Sequence, residues 1–138
     1  FEVTKSELWI NYQKCKEFNP QHNHTGDLSF VIFLKIPEKL REENKRTREK
    51  HNNNGTGTLE FKYGEELLFN KNGFSDMPQE GEMYIFPAWL NHSVLPFFSD
   101  VERITVAGNI LRQGYNRDPN VYIQTAPAPQ TRKVISRS

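Results

Sequence analysis

Two histidines separated by one residue, His22 and His24, stand just before a run of strand-forming residues in the stretch NPQHNHTGDLSFVIF. If they lie at the mouth of a strand, both imidazoles project to the same side, with Cα atoms about 6–7 Å apart. That separation suits two ligands of a single metal ion. A polar loop feeding a strand would give the same pattern, so the pair alone does not define a site.

A third histidine and an arginine follow in a suggestive order. His92 comes after a strand-like segment and a short connector, and Arg103 follows eleven residues later, with Thr105 two residues further on. An arginine that opens an apolar strand needs a partner when it is buried. Its neighbours Asp100 and Glu102 have the opposite parity along the chain. Either Arg103 binds an anionic ligand, or a carboxylate across the sheet, such as Glu82, pairs with it.

The elements that must position these residues are short strands separated by turn-rich segments, which favours antiparallel β structure. The run from Leu28 to Ile36 is continuously apolar and predicts a strand buried on both faces. Both tryptophans, Trp9 and Trp89, are predicted to lie in the core or a pocket wall. We therefore expect an all-β domain with a short helical insert, built as a two-sheet sandwich or jelly-roll barrel. The other predicted strands are Leu8–Gln13, Gly57–Tyr63, Gly81–Pro87 and Arg103–Ile110.

The 138 residues predict one domain over residues 1–115, followed by an extended tail over 116–138. Residues 38–57 read as an insert, with a short exposed helix and then an Asn/Gly loop that contains an exposed His51. The insert is either a solvated excursion or a lid. Because the chain opens with Phe1 rather than Met, we expect the natural N-terminus to lie upstream.

Composition excludes several partners. A net charge of +1 gives no electrostatic support for binding nucleic acid or a membrane surface, and no apolar segment has transmembrane length. The single cysteine, Cys15, rules out an internal disulfide and a multi-cysteine zinc site, and it suits a reducing cytoplasm. An exposed edge strand would permit a homodimer.

Taken together, four segments resemble the 2-oxoglutarate/Fe(II)-dependent oxygenase superfamily, and most of all its compact phage- and bacteria-type branch. The similarity covers residues 8–111. It implies a double-stranded β-helix, a cupin-like jelly roll, in the cytoplasm of a bacterial host if the gene belongs to a phage. The segments are NPQHNHTGDLSFVIFLKIP, the glycine turn at Gly57–Phe61, the stretch Pro78–Val94 and RITVAGNI from Arg103.

The resemblance also implies a chemistry. Fe(II) would be held by three protein ligands, leaving positions open for O2 and for 2-oxoglutarate. Arg103 would bind the far carboxylate of 2-oxoglutarate together with Thr105, and Asn11 and Asn109 would make polar contacts near the iron. The implied reaction couples decarboxylation of 2-oxoglutarate, to succinate and CO2, with hydroxylation of an unidentified substrate.

One residue departs from the superfamily's pattern. Its first ligand pair is usually H-x-D or H-x-E, whereas this chain has His24 in the third position. The ligand set is therefore His22, His24 and His92, or Asp27 of the TGD turn replaces His24. Spacing favours His24. Three histidines are also compatible with zinc or copper.

Two other functions remain open at this point. The first is a cupin-like metalloenzyme that needs no 2-oxoglutarate, such as a cosubstrate-free dioxygenase or an isomerase, in which Arg103 would not affect the metal site. The second is a non-catalytic jelly-roll binding module with its histidines on the surface, which would bind no metal tightly.

Overall fold

The computed structural model describes residues 3–51, 54–65, 68, 71–112 and 133–134. It is mostly β-stranded with one short helix, in agreement with the predicted all-β chain and helical insert. Most of the predicted tail, residues 116–138, lies outside the described residues. The elements are β1 Val3–Gln13, β2 Asn19–His22, β3 Leu28–Lys35, α1 Glu38–His51, β4 Leu59–Lys62, β5 Gly73–Asp76, β6 Met83–Pro87, β7 Asn91–Val94, β8 Arg103–Arg112 and β9 Lys133–Val134.

The strands form two antiparallel sheets. Sheet A has the order β6-β3-β8-β1-β9, and sheet B has the order β2-β7-β4-β5. The pairing is nested, because β1 pairs with β8, β2 with β7, β3 with β6 and β4 with β5. Residues far apart in the sequence are thereby brought side by side, which is how His22 and His92 come to lie opposite each other.

The core lies between the sheets. Strand alternation directs every second side chain inward, and the inward residues of β3 and β6 include Phe33 and Phe86. They pack in one cluster with Leu59, Phe61 and Val94 from sheet B. These aromatic and aliphatic side chains form the apolar core that adjoins the polar residues of the candidate site.

The prediction that β3 is buried on both faces is wrong. Ser29 and Phe33 on its inner side are buried, whereas Leu28 and Leu34 on its outer side are 39% and 53% exposed. The sequence correctly shows apolar residues on both faces of β3. It does not determine whether another layer of the protein covers the outer face. Trp89 is likewise 61% exposed rather than part of the core, while Trp9 is buried.

Helix α1 is longer and better anchored than the exposed helix that we expected. It buries Leu40, Glu43 and Asn44 and ends at an exposed His51. Leu40 packs on Gly57, where a Cβ would lie 2.7 Å from Leu40 Cδ1. The φ of Gly57 is +70°, a left-handed conformation that glycine adopts without steric cost. Within the described residues, no helix has the length and apolar content needed to cross a membrane.

A buried carboxylate fastens α1 to the loop before β8. The Glu43 side chain accepts hydrogen bonds from the backbone N–H of Phe98 at 2.9 Å and of Ser99 at 2.7 Å, and from the Ser99 hydroxyl at 2.5 Å. Burial raises the pKa of Glu43, but these hydrogen bonds outweigh it and leave the pKa below its ordinary value. The carboxylate is therefore ionised and structural at neutral pH.

We expect Glu43→Gln to lower the free energy of unfolding by about 1–3 kcal/mol at pH 7, because it weakens three charge-assisted hydrogen bonds. Since the folded pKa is depressed, the contribution is fully present above the unfolded pKa and is lost as pH falls through the folded pKa. The difference from wild type should thus shrink in acid. Urea denaturation at several pH values measures it, with the exposed neighbour Glu42→Gln as control. Identical stability of the Glu43 variant and wild type at pH 7 would contradict this role.

Candidate metal and cosubstrate site

Three histidines converge where sheet B meets the start of β3. His22 ends β2 and lies directly across from His92 on β7, while His24 follows two residues after β2. One ring nitrogen from each lies within 4.8 Å of the others, and the Nε2 atoms of His24 and His92 are 3.2 Å apart. Imidazole nitrogens that share one ion at about 2.1 Å are roughly 3–3.4 Å apart. The closest pair therefore already has the spacing of two ligands of one metal.

Backbone hydrogen bonds place His24 within this group. The His24 N–H donates to the Ala88 carbonyl at 2.8 Å, and the Ala88 N–H donates to the Asp27 carbonyl at 3.1 Å. The Asp27 N–H in turn donates to Ile110 at 2.9 Å. The β2–β3 loop is thus tied to the ends of β6 and β8. The Trp9 ring, 5.4 Å from the His24 ring between centroids, packs beside it.

Carbonyl groups orient two of the three rings. Nδ1 of His22 lies 2.7 Å from the Pro20 carbonyl oxygen, and Nδ1 of His92 lies 3.0 Å from that of Leu90. A carbonyl can only accept, so each Nδ1 carries the proton and donates it. The lone pair is then on Nε2, which is available to bind a metal.

His92 is held neutral. Burial lowers its pKa to about 4, with a further contribution from the nearby charge of His22, against the opposing hydrogen bond to Leu90. Only the neutral imidazole has a lone pair to offer. The donor set therefore fits a divalent transition metal, with three nitrogen ligands and no ligand charge to neutralise the ion.

The structure places His24, and not Asp27, with His22 and His92. Among the described histidine, cysteine, aspartate and glutamate side chains, the group close enough to hold one ion consists of these three histidines. The exposed His51, at the end of α1, is not part of it.

Arg103 is a buried cation on the inner face of sheet A, with only 4% of its surface exposed. Its Nη1 donates to the Gly57 carbonyl at 2.8 Å, and its Cζ lies 5.4 Å from the centroid of the Phe33 ring. Burial lowers its pKa to about 10, so it remains charged at neutral pH. The carboxylates of the described residues form no ion pair with it. Glu82, the suggested partner, accepts instead from the Gln79 backbone N–H at 2.8 Å.

Polar side chains line the path between Arg103 and the histidines. On the inner faces of β1 and β8, the paired residues are Gln13–Arg103, then Asn11–Thr105, then Trp9–Ala107. The distance from Arg103 to the level of Trp9, and so of His24, is about 13 Å along the strand. Asn11 Nδ2 donates to the buried Thr105 Oγ1 at 3.3 Å, midway along.

Asn109 lies at the histidine end of β8, on the same inner face as Arg103 and Thr105. Its Oδ1 accepts a hydrogen bond of 2.9 Å from the buried Ser29 hydroxyl. Sequence reasoning missed Ser29, although a small polar residue at an inward position of an apolar strand is a recognisable signal. It also missed Phe86, whose ring centroid lies 4.9 Å from that of His92.

A protein-family model matches most of this chain. Residues 7–109 match a family model described as "Putative 2OG-Fe(II) oxygenase", and this range includes the candidate site residues from Asn11 to Asn109. A search of curated proteins found no match. The matched region spans most of the chain and both the histidine and the arginine ends of the site. The chain belongs to this 2OG-Fe(II) oxygenase family.

Proposed function

We propose that the protein is an Fe(II)- and 2-oxoglutarate-dependent dioxygenase that hydroxylates its substrate. The observation that carries the proposal is the buried Arg103, a cation without a carboxylate partner among the described residues, on the sheet face that leads to three convergent histidines. A buried charge of this kind is costly unless a ligand pairs with it. A dianionic cosubstrate would supply that pair.

The proposed fold is a double-stranded β-helix over residues 1–115, with residues 38–57 as an insert. The nested pairing of the first eight strands, first with last and so on inward, supports this assignment. A jelly roll is an eight-stranded, two-sheet arrangement of this kind. It would place metal ligands on β2 and β7 and the anion-binding arginine on β8, across the space between the sheets.

In the proposed site, His22, His24 and His92 would hold Fe(II) through Nε2, with the Nδ1 atoms of His22 and His92 fixed by carbonyls. The bound iron and 2-oxoglutarate would supply O2 activation driven by decarboxylation of the oxo acid. The protein's part is to leave coordination positions open, orient the oxo acid and keep the site dry. Packing of Trp9 and Phe86 against the histidine rings supports the last role.

Arg103 would bind the far carboxylate of 2-oxoglutarate in bidentate fashion, because one Nη1–H bond to Gly57 leaves further guanidinium donors for a planar anion. The Thr105 hydroxyl, which accepts from Asn11, can donate its own proton to the same carboxylate. Asn109, held by Ser29, would contribute a polar contact at the metal end. The site thus has a cationic end and a metal end joined by hydroxyl and amide groups.

A cupin-like metalloenzyme without 2-oxoglutarate is the second candidate. It is favoured by one observation, the absence of a carboxylate from the histidine group of the described residues. Zinc and copper also accept three imidazoles. The two candidates differ in what Arg103 does, since only the first requires it for a small-molecule anion.

The first prediction of the proposed function concerns the metal. Under anaerobic conditions the apo-protein should bind one equivalent of Fe(II). His92→Ala should weaken Fe(II) binding by more than about 100-fold, because loss of a ligand should exceed the usual effect of changing a residue that only hydrogen-bonds to a ligand. His24→Ala should behave similarly. Isothermal titration calorimetry measures both, and circular dichroism verifies folding.

Two variants serve as controls for the ligand set. His51→Ala removes an exposed histidine at the end of α1 and should leave iron affinity unchanged. Asp27→Ala should also have little effect, because its carboxylate does not belong to the histidine group. If Asp27→Ala lowered iron affinity as much as His92→Ala while His24→Ala did not, the assigned ligands would be wrong.

The second prediction concerns the cosubstrate. Arg103→Lys keeps the charge but loses the planar fork, so 2-oxoglutarate should bind about 10- to 100-fold more weakly to the iron-loaded protein, while iron affinity is unchanged. Thr105→Val should give a smaller loss. Equilibrium dialysis with labelled 2-oxoglutarate measures both. Equal affinity of wild type and Arg103→Lys for 2-oxoglutarate would favour the cupin-like alternative.

A further inference from the structure

One face of α1 packs closely on the turn that precedes β4. Leu40, Asn44 and Arg48 are spaced four residues apart and therefore lie on the same face of the helix. A Cβ on Gly57 would lie 2.7 Å from Leu40 Cδ1. A Cβ on Gly55 would lie 2.6 Å from Arg48 Cγ and 2.8 Å from Asn44 Nδ2. The two glycines thus allow the backbone of the turn to approach the helix more closely than other residues would.

Asn44 holds this turn on both sides of Gly57. Its side-chain amide donates one hydrogen bond to the Thr56 carbonyl at 2.7 Å and another to the Thr58 hydroxyl oxygen at 2.9 Å. An amide nitrogen carries two hydrogens, so both donors of Asn44 are used. Asn44 is 3% exposed, and asparagine is a weak helix former. These bonds, rather than helix propensity, account for an asparagine in the middle of α1.

The same turn carries the acceptor for Arg103. The Gly57 carbonyl accepts from Nη1 of Arg103 at 2.8 Å, and the Gly57 N–H donates to the Pro96 carbonyl at 3.0 Å. Among the described residues, this carbonyl is the acceptor that the guanidinium has. Because the guanidinium is planar and rigid, a fixed acceptor at one nitrogen sets the direction of its other N–H donors.

We infer that Asn44 is a positioning residue for Arg103. By holding Thr56 and Thr58 it fixes the Gly57 carbonyl, and through that carbonyl it fixes the direction in which the guanidinium presents its remaining donors. The consequence for 2-oxoglutarate rests on the proposed function, whereas the orientation of Arg103 does not. The inner face of α1 is then a support for the cationic end of the site, and not a lid over it.

Equilibrium dialysis of labelled 2-oxoglutarate against the iron-loaded full chain tests the effect on binding. Asn44→Ala should weaken 2-oxoglutarate binding about tenfold, as loss of a supporting hydrogen-bond partner does at metal sites, and should leave Fe(II) affinity unchanged. In an Arg103→Lys background the same substitution should change 2-oxoglutarate affinity less than about twofold, because both residues act on one interaction.

Two variants serve as controls for a general loss of stability. Lys45→Ala changes the exposed neighbour of Asn44 on the same helix, and Tyr84→Phe removes a hydrogen bond to Asp76. Both should keep the wild-type affinity for 2-oxoglutarate. The inference would be wrong if Asn44→Ala weakened Fe(II) and 2-oxoglutarate binding equally. It would also be wrong if Tyr84→Phe, at the same loss of urea midpoint, weakened 2-oxoglutarate binding as much.

A second measurement does not require 2-oxoglutarate and separates this inference from the proposed function. The side-chain N–H signal of Arg103 in the ¹H–¹⁵N NMR spectrum is assigned by its loss in Arg103→Lys. It should shift in Asn44→Ala and stay in place in Lys45→Ala. If the signal shifts but wild type binds Fe(II) and no 2-oxoglutarate, the proposed function fails and the positioning of Arg103 by Asn44 stands. An unchanged signal in Asn44→Ala would overturn the inference, and 2-oxoglutarate binding by wild type would then leave the proposed function standing.

Discussion

The buried charge of Arg103 is the constraint on which much of the structure depends. A guanidinium that is 4% exposed loses most of its hydration, and among the described residues a carbonyl and the face of an aromatic ring contact it instead. That carbonyl belongs to Gly57, which has a left-handed backbone and whose missing side chain leaves room for Leu40 of α1. The helical insert, which carries none of the three site histidines, therefore shapes the surroundings of the cation.

The histidine end is organised by pairing rather than by helices. His22 and His92 face each other because β2 and β7 are neighbours, and His24 joins them because the next residues are tied to β6 and β8. The β1–β8 ladder connects the two ends, with Thr105 and Asn11 between them. A molecule that bridges a metal and Arg103 would lie along this ladder. The candidate site is thus built from residues of both sheets.

The sequence predicted β3, β4, β6, β8 and the second half of β1, but it did not predict β2, β5, β7 or β9. β1, β3 and β8 have regular alternation or sustained apolar runs, which can be recognised without knowledge of the tertiary structure. β2 and β7 are four residues each, contain asparagine or proline, and form only because longer strands bring their partners near. Those two strands carry His22 and His92. The candidate residues of the site were therefore chosen from their type and spacing, whereas β2 and β7 were not predicted.

Other features depended on contacts that no local pattern contains. The spacing of His24 from His22 favoured it over Asp27, and the structure groups it with the other histidines. The burial of Glu43 and Asn44 could not be read from a helix that is highly charged, since their partners are Ser99 and Thr58 elsewhere in the chain. Nor could the sequence show that the apolar outer side of β3 is partly exposed to solvent.

The most direct test of the central claim, that the histidines and Arg103 together form an iron and 2-oxoglutarate site, is an anaerobic optical titration. Fe(II) is added to the apo-protein first and 2-oxoglutarate second, and the weak visible charge-transfer band of the chelated oxo acid is followed. The band should appear only after the second addition and saturate near one equivalent. Iron binding without any such band would contradict the account. The protein would then have a metal site, and Arg103 would bind an anion other than 2-oxoglutarate.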